Sequence, residues 1–153
     1  LVPDERPETK MKIGELAQAA QCSVETVRFY EKEGLLPAPE RTAGNFRDFG
    51  PLHVERLRLV RNCRALDMSH AEIHALLALA DQPTSDCGAV NAVFDQHMAH
   101  VDERIRELAQ LKLQLTALRE RCGSAQAVDA CGILQGLAAM QVEAQPARHT
   151  HLG

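Results

Sequence analysis

The amino-acid sequence predicts a mainly α-helical protein with a small head, one long helix and a short helical C-terminus. Leucine and alanine dominate the 153 residues, which include no Trp and one Tyr. Several segments repeat apolar residues every three or four positions, as one face of a helix does. Glycine and proline cluster outside these segments, where they end helices and form turns. The chain can bury a modest core but is short for two independent globular domains.

Charge and cysteine content narrow the class of protein. Residues 11–66 carry nine Lys and Arg against seven Asp and Glu, whereas residues 67–153 carry six against eleven. Only the first part is therefore suited to nucleic acid. Five cysteines without an export signal predict reduced thiols in the cytoplasm. The sequence has no apolar run of about eighteen residues, so we expect no membrane partner.

Two short helices joined by a tight turn are predicted at the start of the head. Apolar residues from Ile13 to Ala20 mark the first helix, and the second runs from the N-cap Ser23 to the stop at Gly34. Small helical bundles contain such pairs, but so does the helix-turn-helix, whose second helix enters the major groove of DNA. The residues near the start of that helix that would face DNA are Val24, Glu25, Thr26 and Arg28.

A short hairpin is predicted next, with its turn at Gly44-Asn45 between basic and aromatic residues. Beside a helix-turn-helix, such a hairpin forms a wing. Arg41 and Arg47 lie on its two arms, where they would pair with phosphates. We expect aromatic rings to pack beside the sugar-phosphate backbone, and these belong to Tyr30 and Phe46.

Three stretches of the head resemble the MerR family of transcriptional regulators. They read Ile13-Gly-Glu-Leu-Ala, Thr26-Val-Arg-Phe-Tyr-Glu-Lys-Glu-Gly-Leu-Leu-Pro37 and Gly44-Asn-Phe-Arg47. The resemblance extends from Met11 to about Leu137. It implies a homodimer that binds an overlong promoter, distorts the DNA and so aligns the promoter elements for RNA polymerase. It also implies DNA contacts, largely to the backbone, by Arg28, Tyr30, Arg41, Phe46 and Arg47.

Two more helices complete the head. The first, from Pro51 to about Leu66, carries four arginines, of which at least half are expected on a solvated face and Arg61 is expected to reach a phosphate. The second is amphipathic and is capped by Ser69. Its predicted buried face consists of Ile73, Leu76 and Leu77. Cys22 and Cys63 are interpreted as small hydrophobic residues.

One long helix with a cysteine at each end follows the head. Cys87 and Cys122 are thirty-five positions apart, or roughly 50 Å along a helix, so they cannot bind one ion within one chain. Antiparallel pairing of two helices brings Cys87 of one chain beside Cys122 of the other, and Cys131 can fold back to supply a third sulfur. Ordinary buried thiols are the alternative, since no CxxC pair is present. The apolar stripe for that pairing is Val90, Phe94, Val101, Ile105, Leu108, Leu111, Leu115 and Leu118.

The resemblance to the MerR family also implies which metal ions the three cysteines would bind. In the family, a cysteine at the position of Cys87 marks sensors of divalent metals, and two in the later loop complete the site. The run Cys131-Gly-Ile-Leu-Gln-Gly-Leu137 is similar to the cadmium- and lead-responsive branch, and three thiolates suit such soft ions. Sensors of Hg(II) share the three-cysteine arrangement, whereas Zn(II) prefers four ligands. Sensors of Cu(I) lack the cysteine before the long helix.

Histidines suggest a second metal site. His97 and His100 lie three residues apart on the long helix, and the tail carries His149 and His151. With Glu72, whose position resembles that of a residue in related cadmium sensors, they would bind one more ion of borderline character. Alternatively, His97 fills a position in the helix seam and the tail is disordered.

The predicted organisation therefore has five parts. Residues 1–10 are disordered or an extension that precedes a natural start. Residues 11–80 form the winged helix-turn-helix and its linker helix, 86–122 the antiparallel coiled-coil dimerisation helix, 123–140 the metal-binding loop and helix, and 141–153 a flexible tail. The expected function is Cd(II)- or Pb(II)-dependent activation of heavy-metal resistance genes. The first alternative is an Hg(II)- or Zn(II)-responsive regulator of the same family, and a structural-zinc interaction protein is a rival from another class. An enzyme is disfavoured because the sequence shows no paired acid and base and no nucleotide-binding loop.

Overall fold

The computed structural model describes residues 10–44, 46–82, 84 and 86–142. These residues divide into two compact units, one before Cys87 and one from Cys87 onward. The described part of the chain is mainly α-helical with a two-stranded wing, which confirms the predicted fold class. None of its helices is long and apolar enough to cross a membrane.

The first unit contains four helices and the wing. Its elements are α1 (Ile13–Ala19), α2 (Val24–Lys32), β1 (Glu40–Arg41), β2 (Arg47–Asp48), α3 (Pro51–Ala65) and α4 (His70–Ala80). Helix α2 begins where expected because the Ser23 hydroxyl accepts the backbone N–H of Thr26 at 3.1 Å. The strands pair antiparallel with Arg41 opposite Arg47, which places both arginines on the wing. The predicted helix-turn-helix, wing and linker helix are all present in this order.

Three of these helices end in the same way. The residue after each C-cap has a left-handed backbone, with φ of 56° at Gln21, 73° at Gly34 and 65° at Asp67. The next backbone N–H then returns to a carbonyl of the last helical turn, which is the Schellman motif. These bonds run from Cys22 to Ala17 at 2.9 Å, from Leu35 to Tyr30 at 2.9 Å and from Met68 to Cys63 at 3.0 Å.

Gln21 occupies a position that favours glycine, so we expect Gln21→Gly to stabilise the head. Release of the left-handed strain is worth about 1 to 2 kcal/mol, and the added freedom of the unfolded chain offsets about 0.4 to 1 kcal/mol of it. The free energy of unfolding should rise by up to about 1 kcal/mol in urea denaturation. Gln18→Gly is the matched control, because Gln18 lies inside α1 and should lose about 1 kcal/mol. An equal decrease in the free energy of unfolding for Gln21→Gly and Gln18→Gly would contradict the Schellman motif at the end of α1.

The core of the head is drawn from every one of its helices and from the end of the wing. The face of α4 is buried as predicted at Ile73, Leu76 and Leu77. Cys63 is also buried, and burial raises the pKa of its thiol, which fits a small hydrophobic residue. The largest fully buried side chains are Leu16, Val27, Leu35, Phe49, Leu57, Val60, Met68 and Ile73.

The base of the wing is hydrogen-bonded to Met11, shortly before α1. Met11 and Phe49 exchange two backbone hydrogen bonds of 2.8 Å, and the Phe49 ring is fully buried. Its edge meets the ring of His53 at a centroid distance of 5.2 Å. His53 in turn accepts the N–H of Gly50 through Nδ1 at 3.1 Å, which caps the first turn of α3. These contacts fix the wing relative to α3.

The second unit consists of one long helix and a short folded-back segment. Helix α5 (Cys87–Glu120) runs for 34 residues without a break, and α6 (Gly132–Ala139) packs against it. The stretch that links α5 to α6 contains a turn of 3-10 helix at Val128–Ala130. None of the residues of α5, all of which are described, is buried. Six members of its predicted stripe are 38 to 58% exposed, namely Phe94, Val101, Ile105, Leu108, Leu111 and Leu115.

Candidate nucleic-acid interface and metal centre

A positively charged cleft lies between α2 and the wing. Its volume is about 590 Å³. Five cationic side chains and one carboxylate line it, so it favours an anionic ligand such as a phosphate backbone. The lining residues are Lys12, Ile13, Arg28, Glu31, Lys32, Arg41, Phe46 and Arg47.

Contacts inside the cleft hold the wing against the helix. Arg47 Nη2 lies 3.4 Å from Glu31 Oε1, which links the second wing strand to α2. Lys12 Nζ lies 5.7 Å from the centroid of the Phe46 ring, a cation–π arrangement. The Phe46 ring is nevertheless 65% exposed at the wing tip. It is therefore placed to pack against a large ligand in the cleft.

The residues predicted to face DNA from α2 differ in exposure. Glu25 and Arg28 are exposed, whereas Val24 and Thr26 are half-buried. The Thr26 hydroxyl lies 2.9 Å from that of Ser23, so it already takes part in the helix cap. Arg28 is the member of this set that lines the cleft. Asn45, the remaining predicted contact at the wing tip, lies outside the described residues.

Tyr30 is largely buried, and its predicted contact with DNA stays a prediction. Its ring was expected beside the sugar-phosphate backbone, but only 8% of the residue is exposed. The side chain is turned into the core of the head, where it meets Phe29 at a centroid distance of 5.6 Å. Phe29, which the sequence pattern did not single out, is 47% exposed and also contacts the ring of His70. Helical periodicity alone does not tell which of two adjacent aromatic residues faces the core.

The arginines of α3 also differ from expectation. A solvated face was predicted for at least half of them, but all four donate to backbone carbonyls. Arg61 donates to Ala20, which leaves other guanidinium donors for the predicted phosphate contact, and that contact stays a prediction. The other acceptors are Leu77 for Arg56, Ala19 for Arg58 and Met68 for Arg64. Arg56 also pairs with the carboxylate of Asp81.

Three charged residues of the cleft were not predicted from the sequence, namely Lys12, Glu31 and Lys32. Lys12 precedes α1 and the other two lie in the last turns of α2, where a charged residue is ordinarily a solvated one. Their common position follows only from the way the wing folds over α2. A charge count for the head gives no sign of it.

Two of the three predicted metal ligands meet within the second unit. Cys122 lies just beyond the end of α5, and Cys131 is the N-cap of α6. The Cys122 thiol lies close enough to lower the pKa of the Cys131 thiol, and it donates to the Ser124 carbonyl at 3.5 Å. Both are half-buried and neither forms a disulfide. The loop between them therefore folds back as the spacing had suggested.

The start of α6 favours a thiolate at Cys131. Hydrogen bonds from the backbone N–H of Leu134 and then of Ile133 hold the pKa of the Cys131 thiol below its usual range. Desolvation opposes these two bonds, and the neighbouring thiol of Cys122 lowers the pKa by a smaller amount. A thiolate is the form in which cysteine binds a metal ion, so this pair fits a soft metal.

Cys87 lies apart from this pair. It is the first residue of α5 and is exposed, so the length of the helix, roughly 50 Å, separates it from Cys122. One chain therefore offers two sulfur ligands at one end of the helix and one at the other. A three-sulfur site requires the Cys87 of a second chain, and that arrangement stays a proposal.

Two glycines let α6 approach α5 closely. A Cβ added at Gly132 would lie 2.5 Å from the carbonyl oxygen of Arg121, and one at Gly136 would lie 2.9 Å from Leu118 Cδ2. The obstacle at Gly132 is backbone, which cannot rotate away as a side-chain end can. Gly132 lies directly after Cys131, so it sets how near this ligand comes to Cys122.

We expect Gly132→Ala to weaken metal binding by separating the two thiols. A shift of a few tenths of an ångström in α6 should lower the affinity for Cd(II) about tenfold or more, the size of effect seen when support of metal ligands is lost. Competition with a chromophoric chelator measures this affinity. Gly123→Ala is the control, because a Cβ there meets no atom within 4 Å. Equal affinities for Gly132→Ala and the unaltered protein would contradict this role.

The residues of the predicted second metal site fall on separate elements. His97 and His100 belong to α5, and Glu72 belongs to α4. Glu72 is buried and its Oε2 accepts the N–H of Ser69 at 2.8 Å, so its carboxylate caps α4. His149 and His151 lie outside the described residues. This second site stays a prediction.

Comparison with known proteins identifies the family. The family model described as "MerR HTH family regulatory protein" matches residues 11–80, and the model "MerR, DNA binding" matches residues 54–118. The chain belongs to the MerR family. These matches cover the winged head and most of α5, so the cleft described above lies in the region that defines a family of DNA-binding regulators.

Individual relatives extend the likeness to the second unit. An HTH-type transcriptional regulator ZntR homolog of Haemophilus influenzae is 48% identical over 111 residues, which cover 72% of this chain and 82% of the relative. The mercuric resistance operon regulatory protein of Serratia marcescens is 33% identical, over 89% of this chain and 91% of its own length. PbrR691 from Ralstonia metallidurans, solved by crystallography in complex with lead(II), is 50% identical in sequence to this chain, and the two structures superpose with a TM-score of 0.76. That likeness covers 83% of this chain and 98% of PbrR691.

Proposed function

We propose that this MerR-family protein is a homodimeric transcriptional activator that responds to Cd(II) or Pb(II) and switches on heavy-metal resistance genes. The observation that carries the proposal is the meeting of Cys122 and Cys131 at one end of α5, with Cys87 at the other. The 50% identity to a lead(II)-bound regulator supports it. The protein would act in the cytoplasm, without catalysis.

The exposed stripe of α5 supports the homodimer. Six large apolar side chains at helical spacing expose 38 to 58% of their surface in a single chain. Stripes of this kind are stable in water when another helix covers them. Antiparallel pairing along the stripe would place Cys87 of one chain beside the thiol pair of the other. Two equivalent metal sites would then form, one at each end of the coiled coil.

The cleft of the head supports promoter binding. Arg28 on α2 and Arg41 and Arg47 on the wing present cations to one groove, and the exposed Phe46 ring lies at its rim. In a dimer, two such heads would bind two half-sites of an operator related by the two-fold axis. These contacts, largely to phosphates, would hold the DNA firmly enough for a movement of the heads to bend or twist it.

The metal would convert this binding into activation. A soft divalent ion at the site would be held by the Cys131 thiolate, by Cys122 and by the partner subunit's Cys87, and it would supply bonds that join the two chains at that point. The two heads would thereby shift relative to each other and distort the operator. The distortion would align the promoter elements on either side of the overlong spacer, so that RNA polymerase can bind both.

Two other ions remain candidates within the same family. The Serratia marcescens relative is named for mercuric resistance, and a Bacillus megaterium MerR in complex with mercury(II) is similar at 26% identity and a TM-score of 0.68. The ZntR homolog argues for testing Zn(II) as well. The rival from another class, a structural-zinc interaction protein, is distinguished by chelation. Removal of its metal would unfold it or make it monomeric, whereas a sensor would stay folded, dimeric and DNA-bound.

The decisive experiment is transcription in vitro with Pb(II), Cd(II), Hg(II) and Zn(II). A DNA sequence selected by the protein from a random pool is placed in the overlong spacer of a test promoter. Cd(II) or Pb(II) at low concentration is expected to raise the transcript yield at least about tenfold, which corresponds to a coupling of about 1.4 kcal/mol. A protein that binds the promoter but activates with neither Cd(II) nor Pb(II) would refute the proposal, and activation by Hg(II) or Zn(II) alone would favour the corresponding alternative.

We also propose a second, weaker site for a borderline ion from Glu72, His97, His100, His149 and His151. Truncation after Ala147 removes the two tail histidines and should reduce the number of Zn(II) ions bound per chain by equilibrium dialysis. A matching truncation after His151 is the control. An unchanged stoichiometry would reject the contribution of the tail.

A further inference from the structure

We propose that Arg58 and Arg61 are positioning residues that fix the recognition helix α2 by clamping the C-terminal end of α1. This inference rests on the proposed binding of DNA by the head. It is an alternative to the phosphate contact predicted for Arg61, and the test below distinguishes the two roles.

The carbonyls at the end of α1 lead to this role. The last carbonyls of any helix lack partners within the helix and must find them elsewhere. Here the Schellman motif satisfies two of them, because Cys22 N–H donates to Ala17 at 2.9 Å and Gln21 N–H donates to Gln18 at 3.1 Å. The carbonyls of Ala19 and Ala20 follow next in the chain, and within the described residues no backbone N–H donates to them.

The two arginines take these two carbonyls, one each. Arg58 Nη2 donates to Ala19 at 3.2 Å, and Arg61 Nη1 donates to Ala20. Arg58 and Arg61 are three residues apart on α3, so they lie on the same face of that helix. Two cations at a helix C-terminus also meet the negative end of its dipole. Burial raises the pKa of the Cys22 thiol and Arg61 partly offsets this rise, so the charge of Arg61 lies beside the turn.

The position of α2 depends on this turn. Only Gln21 and Cys22 separate the clamped carbonyl of Ala20 from Ser23, the N-cap of α2. Gln21 has a left-handed backbone that a residue with a side chain adopts at a cost, so the turn needs external support. Hydrogen bonds from α3, which is anchored in the core of the head through Leu57 and Val60, supply that support. Loss of the clamp would leave α2 folded but imperfectly aimed at the bases.

The test compares specific with non-specific DNA binding by the full-length protein. The probes are a duplex selected from a random pool by the unaltered protein and a scrambled duplex of the same composition. Arg61→Ala should weaken binding to the selected duplex about tenfold, since misplaced base contacts lose discrimination. Binding to the scrambled duplex should change less than about twofold, and its salt dependence should stay the same because the phosphate contacts remain.

Matched variants separate the clamp from a general loss of arginine contacts in α3. Arg64→Ala, which removes a similar bond to the Met68 carbonyl instead of to the end of α1, should leave both affinities within about twofold. All measurements are made at a temperature at which circular dichroism shows each variant folded. If Arg61→Ala does not fold, Arg58→Ala is decisive, with an expected loss of about threefold confined to the selected duplex.

Two results would overturn the inference. One is an equal loss on both duplexes with a salt slope reduced by about one, the mark of a direct phosphate contact. The other is no loss on the selected duplex for either variant. Failure of the unaltered protein to select any sequence would instead refute the proposed function, so the two failures are distinguishable.

Discussion

Cys131→Ser is expected to abolish the proposed transcriptional response to Cd(II) and Pb(II) while leaving promoter binding without metal unchanged. The hydroxyl that replaces the thiol is a hard donor and stays protonated at neutral pH, so it does not replace a thiolate for a soft ion. The binding free energy of a structural metal ion held by four ligands is about 10 to 16 kcal/mol, or about 3 kcal/mol per ligand. Loss of one thiolate should therefore lower the metal affinity at least about a hundredfold.

Cys22→Ser is the control for this prediction. Cys22 is a free thiol on the turn between α1 and α2 and belongs to a different unit from the three proposed ligands, so its substitution should leave the metal response intact. Transcript yield is measured in vitro as a function of metal concentration for both variants. A normal response of Cys131→Ser would refute the three-thiolate site.

Mixing of two inactive variants tests whether the site is shared between chains. Cys87→Ser and Cys131→Ser should each fail as homodimers. In a mixed dimer, one site combines the intact Cys87 of one chain with the intact Cys122 and Cys131 of the other. Mixed dimers should therefore regain one high-affinity Cd(II) site, whereas a site within one chain predicts no recovery.

Arg28→Ala is expected to lower promoter affinity about ten- to a hundredfold while leaving metal affinity nearly intact. Arg28 is exposed, projects from α2 and lines the cationic cleft with Arg41 and Arg47. A recognition-helix arginine that contacts a base is worth about 1 to 3 kcal/mol. The metal ligands lie in the other unit, so their geometry should not change.

Fluorescence anisotropy with the selected duplex measures the DNA affinity, and calorimetry measures Cd(II) binding. Arg106→Ala on α5 removes the same charge outside the head and should leave DNA affinity within about twofold. If Arg28→Ala binds DNA with unchanged affinity, Arg28 is not a DNA contact, and the assignment of α2 as the recognition helix is refuted with it. A parallel loss of Cd(II) binding would indicate unfolding rather than a lost contact.

Much of the fold could be predicted because its signals are local. Ser23 and Ser69 cap the helices that follow them, and Gly34 adopts the left-handed backbone that ends α2. The antiparallel strands flank the Gly44 turn as the wing prediction requires. Each of these features depends on residues within a few positions of one another, which is the range over which sequence patterns act.

Features that depend on contacts between distant residues could not be predicted in this way. The inward turn of Tyr30 depends on packing among helices, because it and Phe29 are adjacent and equally aromatic. The destination of Arg61 depends on the end of α1, forty-one positions away in sequence. In both cases the sequence identified a residue of interest, and the tertiary contacts decided what it does.

The sequence by itself therefore determined the order of the helices, the winged head, the family and the three cysteines of the proposed metal site. Only the tertiary structure decided which cations line the cleft, which arginines of α3 bind the end of α1, and that Cys122 meets Cys131. The physical reason is that helix caps and periodic faces are encoded over one or two turns. In contrast, a cleft and a ligand pair arise where separate elements pack, as when Gly132 admits α6 to the end of α5.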